Sequence, residues 1–154
     1  MAASDSTEVL FYHLERMPLE RVLPELLERT LRRGWKAVVQ ASSPERMESL
    51  DTLLWTYRED SFLPHARAGD GPPEAQPIFL TTEDDNPNRA DVRFFVEGAD
   101  GAGLDGYLRA VFLFDGRDEG AVERARGQWR AAQEAGHEVT YWQQDEAGKW
   151  RKKA

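Results

Sequence analysis

The sequence predicts an α/β fold, a layered sheet with mainly parallel connections in a single domain. Three observations predict it. Short runs rich in branched and aromatic residues alternate with helical stripes, the order expected of βαβ units. The first run, Val9 to Leu14 (VLFYHL), is largely apolar on both faces, which suits a central strand covered from two sides. The length of 154 residues fits one domain with one core.

The elements follow in order. Val9 to Leu14 is the first strand. Leu19, Val22, Leu23, Leu26, Leu27 and Leu31 share a helical face that ends at Gly34, a candidate C′ glycine. Pro24 interrupts that pattern, so the regular helix either starts near it after an initial turn or is kinked there. Trp35 to Ala41 is a second strand. Ser43-Pro44 reads as an N-cap followed by proline at the first helical position, and Met47, Leu50, Leu54 and Tyr57 give the next helix its apolar face. Residues 66–76 lack periodicity and read as a surface loop. Pro77 to Thr81 is a strand, Thr82 to Asp91 an acidic loop, and Val92 to Val96 another strand. After a glycine-rich turn at 98–106, Tyr107 to Phe114 is partly strand. Asp118 to Ala135 is a helix closed by Gly136, and His137 to Gln143 is the last strand. Residues 1–7 and the charged stretch 145–154 are expected as flexible termini.

Composition removes several classes of function. With no cysteine there is no disulfide framework, thiolate metal site or cysteine nucleophile. No apolar run reaches the roughly 18 to 20 residues of a membrane span, and Met1 to Glu8 has no hydrophobic signal region. A cytoplasmic protein without membrane contact is expected. The net charge of −8 argues against strong direct binding of nucleic acid, which favours a basic face. The charge is uneven. From Arg117 onward eight basic residues face seven acidic ones, which leaves −9 on the first 116 residues. An anionic partner would be welcome only in that last quarter.

Motifs for catalysis or cofactors are weak. Gly101 to Gly106 matches GxGxxG, but a dinucleotide site needs a helix to open there, and too few residues separate Gly106 from the next apolar run. Asp100 and Asp105 would also oppose a phosphate. A small nucleotide-binding enzyme using this turn is the alternative function, and a plain turn is the simpler reading. The acidic stretch 83–91 lacks calcium-loop spacing, and His13, His65 and His137 have no metal-site spacing. No catalytic residue, cofactor site or metal site is expected.

Two surfaces stand out instead. Trp55 lies off its helix's apolar stripe, and Phe62 falls in the irregular run before Pro64. Such aromatics either form a contact surface or are covered by a neighbouring loop. On the helix 118–135, Val122, Ala125, Trp129 and Ala132 form the inner stripe, with Arg126, Arg130 and Gln133 beside it. Arginine forks next to an apolar floor suit a hydrophobic residue bearing a carboxylate, such as a protein C-terminus. The other reading is a solvated face whose arginines pair with Glu123 and Glu134.

Several blocks resemble the chi subunit family of bacterial DNA polymerase III holoenzyme. They are Phe11-Tyr12-His13-Leu14, Gly34-Trp35-Lys36-Ala37-Val38-Val39, and Leu50-Asp51-x-x-Leu54-Trp55 running into Ser61-Phe62-Leu63-Pro64-His65. Gly69-x-Gly71, Asp91-Val92 and the helix end from Arg126 to Gly136 support them, and the match spans roughly Val9 to Trp142. The resemblance implies a three-layer, Rossmann-like α/β fold without catalytic activity. It implies an adaptor that binds the acidic C-terminal tail of the single-stranded-DNA-binding protein and links it to the clamp loader, through a psi-like subunit where present, or to a helicase. On this basis Arg126, Trp129, Arg130, Val122 and Tyr141 are the expected tail-binding residues, and Trp55 and Phe62 the expected partner-subunit contacts. Val122 departs from the family pattern, which has a lysine there. The lysines and arginine of the C-terminal stretch offer replacement charge.

Overall fold

The computed structural model describes residues 7–56, 65–67, 76–83, 85–96, 104 and 106–154. Eleven elements follow one another: β1 (Glu8–Leu14), α1 (Leu19–Arg32), β2 (Ala37–Gln40), α2 (Pro44–Thr56), β3 (Ala66–Arg67), β4 (Ile78–Thr81), β5 (Val92–Val96), β6 (Arg109–Asp115), α3 (Glu119–Glu134), β7 (Glu138–Gln144) and β8 (Trp150–Lys152). The strands make one sheet in the order β3-β4-β2-β5-β6-β1-β7-β8. Every neighbouring pair is parallel except the antiparallel β7–β8. The expected mainly parallel sheet flanked by helices is therefore what forms.

Alternation along each strand sends residues to two covered faces. Leu10, Val39, Phe94 and Val111 face α1 and α2, where they meet Val22, Leu23, Leu26, Leu27, Leu50 and Leu54. Val9, Phe11, Phe95 and Phe112 face α3 and meet Ala125 and Ala132. Helix ends follow local chemistry. Arg33 caps α1, Gly34 takes φ +80°, and Trp35 N–H reaches back to Thr30 O at 3.2 Å, a Schellman closure. Gly136, at φ +88°, ends α3 in the same way, with His137 N–H on Ala132 O. α1 runs through Pro24 from Leu19, so the regular helix does not start near the proline, and it forgoes one hydrogen bond there. Ser43 Oγ accepts from Arg46 N–H at 3.3 Å, as an N-cap does for α2.

The structure corrects several element boundaries. The second strand is shorter than 35–41 because Lys36 N–H is taken by the Asp91 carboxylate at 2.9 Å. Ala66–Arg67, read as loop, pairs with β4. Residues 145–154, expected as a flexible terminus, contribute a strand to the sheet. Asp145 Oδ1 accepts from Ala147 and Lys149 N–H, Gly148 turns at φ +83°, and β8 returns along β7. Trp150 then packs edge-on against Tyr12, with ring centres 4.9 Å apart. Thr7, expected in the flexible N-terminus, is buried and donates its hydroxyl to Leu104 O at 2.9 Å.

Arg93 lies within the expected strand Val92 to Val96. It is fully buried, and all five of its N–H groups are used. They reach Gln40 Oε1, Glu83 O, Asp85 O and the Tyr107 hydroxyl. The acidic loop is thus tied to the sheet by a guanidinium holding its carbonyls. Between Gly106 and β6 there is room for Tyr107 and Leu108 only, and no helix opens. That removes the geometry a dinucleotide turn requires; Gly101 and Gly103 themselves lie outside the described residues.

Candidate functional site

α3 begins with Asp118, whose Oδ1 accepts from Gly120 and Ala121 N–H at 2.9 and 3.3 Å. Small residues at Ala125 and Ala132 bring the helix close to the sheet. Between them Trp129 wedges over Phe11 (ring centres 5.6 Å) and meets Tyr141 edge-on at 5.9 Å. Beneath it Phe95, Phe112 and Phe11 stack across three adjacent strands at 4.5 and 4.6 Å. This aromatic layer does not fill the space under α3. A cavity of about 380 Å³ opens between α3, β1, β6 and β7.

Val122, Arg126, Trp129, Arg130 and Tyr141 all line this one cavity. Their convergence follows from topology: β1 lies between β6 and β7, and its parallel register sets Phe11 beside Tyr141. The arginines sit at the rim. Arg126 is 63 % exposed and forms a surface pair with Glu123 at 3.0 Å, as the solvated-face reading expected. Such a pair is worth little in water and yields readily to a better anion. Arg130, expected to meet Glu134 on that reading, makes no ion pair among the described residues.

Sequence reasoning missed His13, Phe11 and Phe114 as lining residues. The period-two alternation of the first strand was the available signal, since Phe11 and His13 share a face. His13 Nδ1 hydrogen-bonds the Tyr141 hydroxyl, and Nε2 lies 3.4 Å from Glu15. Gly116 packs directly on that ring: a Cβ there would stand 1.8 Å from Nε2. Burial pushes the Tyr141 phenol above its ordinary pKa, with the Arg126 charge opposing that rise and Glu15 adding to it. The phenol therefore stays neutral and keeps its hydrogen-bonding capacity at the cavity wall. Beyond it, pairing past β8 brings Lys153 N–H onto Tyr141 O at 2.7 Å.

Trp55 lies elsewhere, on α2. It is 55 % exposed, and its ring sits 4.8 Å from that of His65. His65 is buried and its Nε2 meets Asp51 Oδ1 at 3.0 Å, with Arg67 at 3.8 Å from the same carboxylate. Asp51 and Trp55, one turn apart on α2, thus form one cluster with His65. Phe62, the other expected contact, lies outside the described residues. Among the described residues no group of three His, Asp or Glu is placed to hold a metal. Nor is any helix among them long and apolar enough to cross a membrane.

Fold and site together define a Rossmann-like α/β protein with an arginine-rimmed aromatic cavity under one helix and a presented tryptophan on another. The family model for the DNA polymerase III chi subunit, HolC, matches residues 6–140. A protein described as probable DNA polymerase III subunit chi, from Rickettsia prowazekii (strain Madrid E), is 32% identical over 89 residues. That match covers 58% of this chain and about half of the relative, 54%. The chain belongs to the DNA polymerase III chi subunit family, accessory subunits of DNA replication.

Proposed function

We propose that the protein is a non-catalytic adaptor of the replisome. The cavity under α3 receives the acidic C-terminal tail of the single-stranded-DNA-binding protein, and the Trp55 surface holds a clamp-loader subunit, psi-like where present, or a helicase. The observation that supports this most is the convergence of Val122, Arg126, Trp129, Arg130 and Tyr141 on one cavity.

The chemistry follows from the lining. A terminal hydrophobic side chain enters over Phe11, Phe114 and Trp129 and buries apolar area. Its carboxylate meets guanidinium forks at the rim, where charge-assisted pairs are strongest. Val122 supplies no charge, so Arg130 and Arg126 carry the anion. Capture of such a short tail gives affinity near micromolar, about −8 kcal/mol, and several tails displayed on one DNA strand add avidity.

The test is titration of a fluorescent acidic peptide ending in a free hydrophobic carboxylate against wild type and Arg126→Ala. Saturable binding that weakens with salt and drops at least about tenfold in the variant is expected. No binding to wild type at high micromolar protein sinks the tail-receptor role.

A further inference from the structure

A second cavity, of about 290 Å³, opens on the opposite face of the sheet, between the last turns of α1 and the β7–β8 hairpin. Its walls combine rings and cations. Tyr12, Trp142 and Trp150 stand side by side, with Tyr12 against Trp142 at 6.3 Å and edge-on to Trp150 at 4.9 Å. Arg29 and Arg33 enter from one face of α1, and Arg109 from β6. Glu8 neutralises Arg109 through a 2.8 Å pair, which leaves two guanidinium groups in excess. In a chain of net charge −8 that is a marked local reversal.

Helix-end chemistry explains part of this. Cations near a helix C-terminus offset its dipole, and both Arg29 and Arg32 lie in the last turn of α1. Arg33 and Arg109 also flank Trp35 at 5.1 and 5.2 Å. Neither role accounts for Tyr12. Tyr12 lines the cavity with Arg109 and Arg29, and its hydroxyl makes no hydrogen bond among the described residues. Trp150 Nε1 is likewise without a hydrogen bond there, whereas Trp142 Nε1 is taken by Thr140. The Tyr12 hydroxyl, the Trp150 N–H and the guanidinium groups therefore converge beside two indoles that line the cavity.

We infer that this cavity is a weak site for single-stranded DNA, one nucleotide stacking on the indoles while its flanking phosphates meet Arg29 and Arg33. Indole faces accept any base, and arginines track the backbone. The volume suits a single nucleotide unit, and the family acts in DNA replication, where single strands are at hand. The site is independent of tail capture, since Arg126 and Trp129 lie across the sheet. Acidic surface elsewhere keeps the affinity low.

The test follows intrinsic tryptophan fluorescence and the five indole N–H resonances of the whole protein during titration with a short oligothymidylate. Arms with thymidine monophosphate, inorganic phosphate and an acidic peptide run in parallel. Saturable quenching that moves the Trp150 indole resonance is expected. Two phosphate contacts make binding fall about 25-fold between about 20 and about 200 mM salt. Arg29→Glu with Arg33→Glu, both at exposed positions, weakens it at least about tenfold, while Arg126→Ala leaves it unchanged. Several results overturn the inference: no saturation at low salt, a still Trp150 resonance, or undiminished binding in the double variant. So does inorganic phosphate or the acidic peptide occupying the cavity while the oligonucleotide does not.

Discussion

The two faces of the sheet are packed differently. Toward α1 and α2 the layer is largely aliphatic, with Leu23, Leu27, Ile78 and Leu80 fully buried among interlocking leucines and valines. Toward α3 it is built of flat rings stacked across strands, and the helix above contributes alanines. Branched side chains interdigitate and fill space. Stacked rings beneath a helix of small residues leave a gap at the edge, here bordered by arginines. The α3 face thus leaves an arginine-bordered gap directly beneath its helix, whereas the aliphatic face closes except near the β7–β8 hairpin. The halves of the α3-side face differ again: beyond the reach of that helix, Arg93 closes the surface with hydrogen bonds rather than apolar contact.

Substitutions can break or sharpen that contrast. The largest effect belongs to Arg93→Met, which strands Gln40 and the carbonyls of Glu83 and Asp85 without donors. It should cost about 3 kcal/mol or more in denaturant unfolding. Leu27→Ala opens a hole in the aliphatic face and should cost about 2–5 kcal/mol, with acidic-peptide affinity unchanged once the protein is folded. Trp129→Ala tests the receiving face. Peptide affinity should fall at least tenfold, about 1.4 kcal/mol, while the loss of stability stays below that of Leu27→Ala because Trp129 is only half buried. Equal stability losses with intact binding would erase the distinction. Asp118→Ala removes the α3 cap and should cost about 1 kcal/mol by thermal unfolding.

The smallest effect is alkaline. Tyr12 and Tyr141 are both raised above their ordinary pKa, chiefly by burial. The fold thus prefers the neutral phenol, so their contribution is intact below the unfolded value near pH 10 and falls as pH rises through the folded values. Tyr141→Phe should flatten that decline, as followed by unfolding midpoints across the alkaline range. An unaltered slope would show that Tyr141 does not contribute to it.

Element types were legible in the sequence because periods of two and 3.6 are local. The stripes of α1 and α2 and the closing glycines at 34 and 136 all follow from neighbours within a few residues. The β7–β8 hairpin was hidden by charge composition, although Asp145 and Gly148 carry its turn chemistry. Arg93 was hidden because a polar residue in a strand ordinarily marks a solvated face, and here both faces are covered. Half of the cavity under α3 could be read from helix spacing, since Val122, Arg126, Trp129 and Arg130 lie on neighbouring stripes. Tyr141 came only from resemblance, and His13 and Phe114 were missed. Those residues meet through strand order, which local pattern does not encode.

The most direct measurement is a two-dimensional NMR titration of the protein with an acidic peptide ending in a hydrophobic residue and a free carboxylate, following the indole N–H resonances. If the α3 face is the receptor, the Trp129 indole moves to saturation while those of Trp55 and Trp150 stay in place. Saturating movement of Trp55 or Trp150 with Trp129 unmoved would contradict that assignment of the tail site.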